Sequence, residues 1–352
     1  MRYPDFLKDN GTIGFIAPSF GCATDPYKTL FESAQNAFTK MGYNVILGPN
    51  CYAMDGEGKS TTPQKCGQEV NDFFINDKSD VIISCGGGET MCEDLPYIDF
   101  AAIAKAKPKW YAGYSDNTNL TFTLNTLCDT ASIYGPCVSA FGSSPMHESV
   151  VDELDILRGR KSSVSNYKIW YRDDPDYIDE SEEVDIKKRY EQGQIKNPYK
   201  HYIYNGNTEV GNLDFSGRLL GGCMDCLDNL IGTPYDKVKE FNHRYSNDGV
   251  IWFLEACDFN VMDIRRSLWH MKAAGWFDCA KGFLFGRPLQ FDDTFGDFDH
   301  YRAVLGILDE FKVPIVMDTD IGHLFPAMPI ISGAMADVKA TKEQISIDYR
   351  LV

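Results

Sequence analysis

Residues 109–122, KWYAGYSDNTNLTF, hold the junction on which the reading of this chain turns. The apolar run Trp110–Gly113 has strand character and stops at Tyr114-Ser115-Asp116, where a polar, potentially helical segment begins. A lone serine at such a junction admits two readings. It is a helix N-cap, its hydroxyl accepting a backbone N–H of the first turn. Or it is a nucleophile on a sharp turn, with the Asp116 N–H aimed at the same point and the helix N-terminus adding positive potential. The motif is not the G-x-S-x-G elbow, because Asn117 stands two residues after Ser115.

Outward from this junction, short apolar runs alternate with longer segments of helical spacing. Gly11–Pro18, Tyr43–Leu47 and Asp80–Ser84 read as strands, and Tyr27–Met41 and Thr62–Asn76 as helices. Such alternation implies βαβ units and a parallel sheet, whose ligands sit at the carboxyl ends of the strands. Both Ser115 and the loop Gly86-Gly87-Gly88 lie just after strands. A second unit opens near Gly217 and carries the apolar strand GVIWFLEA (249–256), a helix through Ile264, Leu268 and Met271, then GFLFG (282–286) and PIVM (314–317). Between them, residues 166–212 contain the acidic run RDDPDYIDESEEVD (172–185) and many aromatics. That content argues for an ordered crossover rather than a disordered linker. The expected organisation is α/β: an N-terminal domain (1–165) with a parallel sheet flanked by helices, the crossover (166–212), and a C-terminal mixed α/β domain (213–352).

Apolar residues make up 43% of the chain and charged residues 24%, enough for a large core. The net charge of −17 disfavours nucleic acid and anionic membrane surfaces, which would repel it. No run approaches the roughly 18 apolar residues of a membrane span. No basic-then-apolar secretory leader is visible. The 11 cysteines are scattered, several within apolar runs, as expected of thiols in a reducing, cytoplasmic setting.

Beyond Ser115, two residues stand out. His323 in DTDIGHLFPAMP follows a strand and the turn Ile321-Gly322. Of the other histidines, His147, His201, His243 and His300 read as surface residues and His270 as structural. Glu255 ends an apolar strand, where an acid is costly unless paired or functional, or else turned to solvent. A buried carboxylate accepting a histidine N–H is one good account of it. The Cys223/Cys226 pair lacks a second pair for zinc and reads as packing. The glycine loop fits neither nucleotide fingerprint but permits close backbone approach to a ligand.

Taken in order, GFIAPS, the Gly-Gly loop with LPYIDF (95–100), GYSD, G-x-L-x-G-G (217–222) with GTPYD, FLE (253–255) and GH (322–323) resemble a known family. It is the serine LD-carboxypeptidase family, which includes muramoyl-tetrapeptide carboxypeptidases and microcin C self-immunity proteins. The resemblance implies a nucleophile at Ser115, a general base and then acid at His323, and Glu255 orienting His323. It implies an oxyanion hole from the backbone N–H groups of Asp116 and Gly87, with no metal and no cofactor. The loop Cys85-Gly86-Gly87-Gly88-Glu89 and the long aromatic crossover resemble the microcin C immunity branch. There an aromatic residue stacks on a nucleobase, and Trp170 or Tyr171 is the counterpart. Gly88 and Cys223 are implied substrate contacts, although the family usually has Asn where this chain has Cys223. The implied partners are a muropeptide or an aminoacyl or peptidyl nucleotide, and a second copy of the chain in a homodimer. Two other readings stay open: a non-catalytic binding protein on the same scaffold, and a hydrolase using Cys85.

Overall fold

The computed structural model describes residues 1–173 and 193–352. In chain order its first half runs β1 (Thr12–Ile16), α1 (Tyr27–Lys40), β2 (Asn44–Leu47), α2 (Pro63–Ile75), β3 (Val81–Ser84), α3 (Phe100–Lys105), β4 (Trp110–Ala112), α4 (Thr118–Cys128), β5 (Ser132–Tyr134) and α5 (Glu148–Leu157). The middle of the chain adds β6 (Ser163–Ser165), β7 (Ile169–Asp173), β8 (Gln194–Pro198), β9 (Tyr202–Asn205) and β10 (Thr208–Glu209). Then come β11 (Asn212–Cys223), α6 (Met224–Leu230), α7 (Val238–Arg244), β12 (Val250–Glu255), α8 (Val261–Ala273), β13 (Ala280–Gly286), α9 (His300–Leu308), β14 (Pro314–Thr319), β15 (Ile330–Ser332), β16 (Met335–Thr341) and β17 (Ile345–Arg350).

Among the described residues, one sheet has the order β15-β5-β4-β3-β1-β2, with β1 to β5 mutually parallel and β15 antiparallel to β5. A second has the order β10-β9-β14-β13-β12-β11-β16-β17-β6, its centre β11 to β14 parallel and its flanks antiparallel. This is the α/β arrangement the alternating pattern implied. Sheet membership crosses the expected boundaries at 165 and 212. Strands β6, β9 and β10 join the second sheet, and β15 returns to the first. Strands β7 and β8 pair with each other as a ribbon. Most of the acidic run 172–185, with Tyr177 and Tyr190, lies outside the described residues.

Local sequence explains the elements that position the site. Helix α1 buries Leu30, Phe31, Ala34 and Phe38, a single stripe at helical spacing. Proline at the first position of α2 starts that helix without losing a hydrogen bond. All six residues of β12 are buried, as an unbroken apolar run in the middle of a parallel sheet requires. Helix α4 is buried almost all round, which accounts for the absence of charge from TNLTFTLNTLC. Two of its hydroxyls turn back onto the helix, Thr123 Oγ1 donating to Asn119 O at 2.6 Å and Thr126 Oγ1 to Phe122 O at 3.2 Å. On its far side Phe122 stacks on Trp276 at 5.3 Å, so α4 joins the two halves. No helix among the described residues is long and apolar enough to cross a membrane.

Candidate active site

The carboxyl ends of β3, β4 and β5 in one sheet and of β11, β12 and β14 in the other meet at one site, the position expected for a ligand in open α/β sheets. Ser115 stands three residues beyond β4 with φ at +62°. A residue with a Cβ is strained in this left-handed region, and such strain concentrates at functional turns. Its N–H donates to the Tyr134 hydroxyl at 3.2 Å. The capping reading of Ser115 is overturned. The serine begins a short 3₁₀ turn, Ser115–Asn117, instead of preceding a helix, and neither that turn nor α4 carries a side-chain cap.

The glycine loop closes on this turn. A Cβ on Gly87 would stand 3.0 Å from Ser115 Oγ and 3.9 Å from the Asp116 nitrogen, so a side chain there would have to push Ser115 aside. The Asp116 carboxylate points into the protein. It accepts from Ser19 Oγ at 2.5 Å, from the Met91 amide at 2.9 Å and from Asn119 Nδ2 at 2.9 Å. Burial pushes its pKa up, and these bonds offset only part of the rise. Held this way, the residue fixes its own backbone amide. Asn117, also buried, ties the two loops by donating to Gly86 O at 2.8 Å and Tyr114 O at 3.0 Å. Gly88, at φ +146°, packs against Ser19 and Gly58.

Glu255 is fully buried, so the solvent-facing alternative for it is also overturned. Its Oε2 lies 3.0 Å from His323 Nδ1, and its Oε1 accepts the Tyr134 hydroxyl at 2.5 Å. Burial alone would raise the carboxyl, but the His323 charge and the bonds from His323, Tyr134 and Cys223 outweigh it and hold it low. Burial likewise disfavours the imidazolium, yet the Glu255 carboxylate and the contacts of Cys257 and Tyr114 carry His323 well above the usual histidine range. The opposite ring nitrogen, Nε2, is enclosed and has no hydrogen-bond partner among the described residues, so the Ser115 hydroxyl is not bonded to it in this structure. This is the disposition of a base whose orienting acid sits behind it. Gly322, at φ +113°, admits the carboxylate, since a Cβ there would stand 2.7 Å from Glu255 Oε2. Gly322→Ala is therefore expected to destabilise the fold by about 1–3 kcal/mol, readable as a lower urea midpoint with unchanged slope.

Tyr134 links the two halves of the site, since one hydroxyl accepts from the Ser115 amide and donates to Glu255. Sequence reasoning missed it, because a tyrosine ending the strand SIY carries no spacing signal. Tyr134→Phe leaves one oxygen of a buried carboxylate short of a donor, worth about 1.5–3 kcal/mol. The expected result is a roughly 10- to 100-fold fall in kcat in a protein that still folds, checked by steady-state kinetics beside circular dichroism.

The remaining expected residues divide. Cys223 is buried at the end of β11, its thiol against Glu255 and 3.3 Å from Asp225 Oδ2. Cys226 reaches Ser115 O at 3.7 Å, so this pair packs beneath the site. Cys85 is buried, and burial raises its thiol well above the usual range, which removes it as a nucleophile. Trp170 is 9% exposed and carries the Arg287 guanidinium 4.3 Å over its ring. Tyr171 is half-buried, with its amide donating to Phe325 O at 2.7 Å, two residues beyond His323. His201 and His300, read as surface residues, are each 5% exposed, a correction that local polarity could not supply. Among the described residues no group of three or more His, Cys, Asp or Glu is placed to hold a metal.

The chain resembles known proteins over nearly its whole length. The Escherichia coli microcin C7 self-immunity protein MccF is 25% identical over 339 residues, spanning 96% of this chain and 92% of that protein. A Bacillus subtilis protein named a probable murein peptide carboxypeptidase is 21% identical over 354 residues, 98% of this chain and 94% of that one. The solved structure of MccF in complex with glutamyl sulfamoyl guanosine superposes with a TM-score of 0.78 at 21% identity, covering 99% of each chain. Residues 13–135 match the LD-carboxypeptidase N-terminal domain and residues 216–338 the LD-carboxypeptidase C-terminal domain. Both halves of the cleft fall inside those matches, and the chain belongs to the LD-carboxypeptidase family.

Proposed function

We propose that this protein is a serine hydrolase that cleaves an amide or acyl bond in a small peptide-like substrate. The observation that carries the reading is the buried Glu255–His323 pair joined through Tyr134 to a serine held at positive φ. His323 takes the Ser115 proton, and the alkoxide attacks the acyl carbon. The amides of Asp116 and Gly87 receive the oxyanion, a donor of this kind being worth about 2.7–4 kcal/mol. The tetrahedral adduct collapses as His323 returns the proton to the leaving group, and water then hydrolyses the acyl-enzyme with the same base.

For the substrate, the reading favoured is an aminoacyl or peptidyl nucleotide over a muropeptide. Supporting it are the glycine loop, the aromatic strand β7 beside His323, and the likeness to a protein solved with glutamyl sulfamoyl guanosine. Trp170 is nearly buried with Arg287 4.3 Å over its ring, whereas Tyr171 is half-buried with Lys196 at the longer 5.9 Å, so Tyr171 is the better base platform of the two. Gly88 and Cys223 complete the proposed substrate contacts. We place the protein in the reducing cytoplasm, in keeping with its free cysteines, and propose a homodimer, to be tested by light scattering. The discriminating experiment compares hydrolysis of an aminoacyl-sulfamoyl nucleoside with that of an LD-tetrapeptide. Faster cleavage of the nucleoside supports this choice, and faster release of the terminal D-amino acid reverses it. Binding without turnover of either, indifferent to His323, would instead identify a binding protein.

A further inference from the structure

The segment that carries His323 is fastened by an ion pair buried outside the catalytic cluster. Arg287 directly follows β13 and is 4% exposed, and Asp320 is 1% exposed. The guanidinium donates from Nη2 to Asp318 O at 3.0 Å and sets Nη1 3.5 Å from Asp320 Oδ1. Its face lies on Trp170 of β7. Asp320 in turn accepts the Tyr167 amide at 2.9 Å, and its own carbonyl accepts the Met328 amide at 2.7 Å. Asp318, at φ +62°, is held by His300 Nε2 at 3.0 Å and by the Tyr301 hydroxyl.

Two features argue that this cluster does more than hold the fold. A buried ion pair is a poor source of stability, because desolvation consumes most of its Coulomb gain, and registry is its best-attested use. The coupling to the catalytic residues is also tight. A Cβ on Gly286 would stand 2.0 Å from Ile321 O and 3.0 Å from the Glu255 Cβ, so the backbone beside Arg287 abuts both the base segment and the orienting acid. The crossover meets the base segment at Asp320, through Tyr167, and just beyond it at Phe325, through Tyr171, and it meets Arg287 through Trp170.

We propose that Arg287 and Asp320 are positioning residues, which register residues 318–323 against both β7 and Glu255 and so set the alignment of His323 with its acid. Neither touches the reacting atoms. The proposal rests on the hydrolase reading above, but it can be tested without turnover. Burial raises the Asp320 carboxyl, and Arg287 with the Tyr167 amide offsets part of the rise.

The experiment uses the full chain with Arg287→Lys and with the double variant Arg287→Met/Asp320→Asn, which leaves no buried charge unpaired. The first readout is NMR titration of the His323 ring, its signal identified by its loss in His323→Gln. The second is kcat and KM on an aminoacyl-sulfamoyl nucleoside or an LD-tetrapeptide. In the double variant the His323 titration is expected to move back towards about 6.5. At the same time kcat should fall roughly 10- to 100-fold with KM within about threefold, while the melting temperature stays near that of the parent. Arg287→Lys, keeping the charge but not the fork, should fall between. If wild-type enzyme cleaves neither substrate, the hydrolase reading fails and the titration alone decides this one. An unchanged His323 titration in folded variants, or failure of both to fold, would overturn it and leave the pair a purely structural staple.

Discussion

Ser115→Ala is expected to lower kcat by a factor on the order of 10⁴–10⁶ while the protein folds normally. The substitution removes one oxygen atom and leaves the amide bond to Tyr134 in place. The φ of +62° costs alanine about as much as serine, so stability should change little. What disappears is the atom that His323 would activate under the proposed mechanism. The cysteines nearby offer no substitute. Cys85, Cys223 and Cys226 are buried with raised thiols, Cys223 through its bond from Cys226 and burial, Cys85 and Cys226 through burial, and burial also raises Cys257 despite its contact with His323. Residual rate above background would measure what binding and the oxyanion amides contribute alone.

Glu255→Gln is expected to cost about 10⁴ in kcat and to shift the pH profile in a defined direction. In the wild type the carboxylate raises His323 above its ordinary range. The neutral base needed for attack therefore accumulates only at a pH above about 6.5, and kcat/KM should rise through that region. Removing the carboxylate lets the imidazole titrate lower, so the same limb should move to more acid pH. The stability sign follows from the same pair. His323, with its folded value raised, contributes fully below its unfolded value and loses that contribution as pH rises through the folded one. Glu255, with its folded value lowered, contributes above its unfolded value and loses it as pH falls through the folded one. Urea midpoints of the wild type should decline on both sides of that window, and the Gln variant should show a flatter profile.

Much of this site was legible because its residues lie where short strands end. The apolar runs before Ser115, Glu255 and His323 and the glycines after β3 are local signals, and the sheets place those ends in one cleft. Tyr134 was not legible, because its role comes from reaching Glu255, 121 positions away in the chain. The N-cap alternative failed because a backbone turn at positive φ leaves no trace in residue type when serine occupies it. His201 and His300 were misread for a related reason. Their neighbours in sequence are polar, but His201 directly precedes β9, which pairs with β14, and His300 opens α9 with its Nε2 3.0 Å from Asp318 Oδ1 of β14. The antiparallel pairing of β9 with β14 is equally non-local, so an aromatic segment that looked irregular proved to be part of the second sheet.

The central claim is that Ser115 carries the acyl group during turnover. It is tested most directly by acid-quenching the enzyme within the first turnovers of an aminoacyl-sulfamoyl nucleoside or an LD-tetrapeptide and mapping the adduct by peptide mass spectrometry. The expected result is one added acyl mass on the peptide containing Ser115, absent from Ser115→Ala. An acyl mass on a cysteine peptide, or product formation undiminished in Ser115→Ala, would contradict the account.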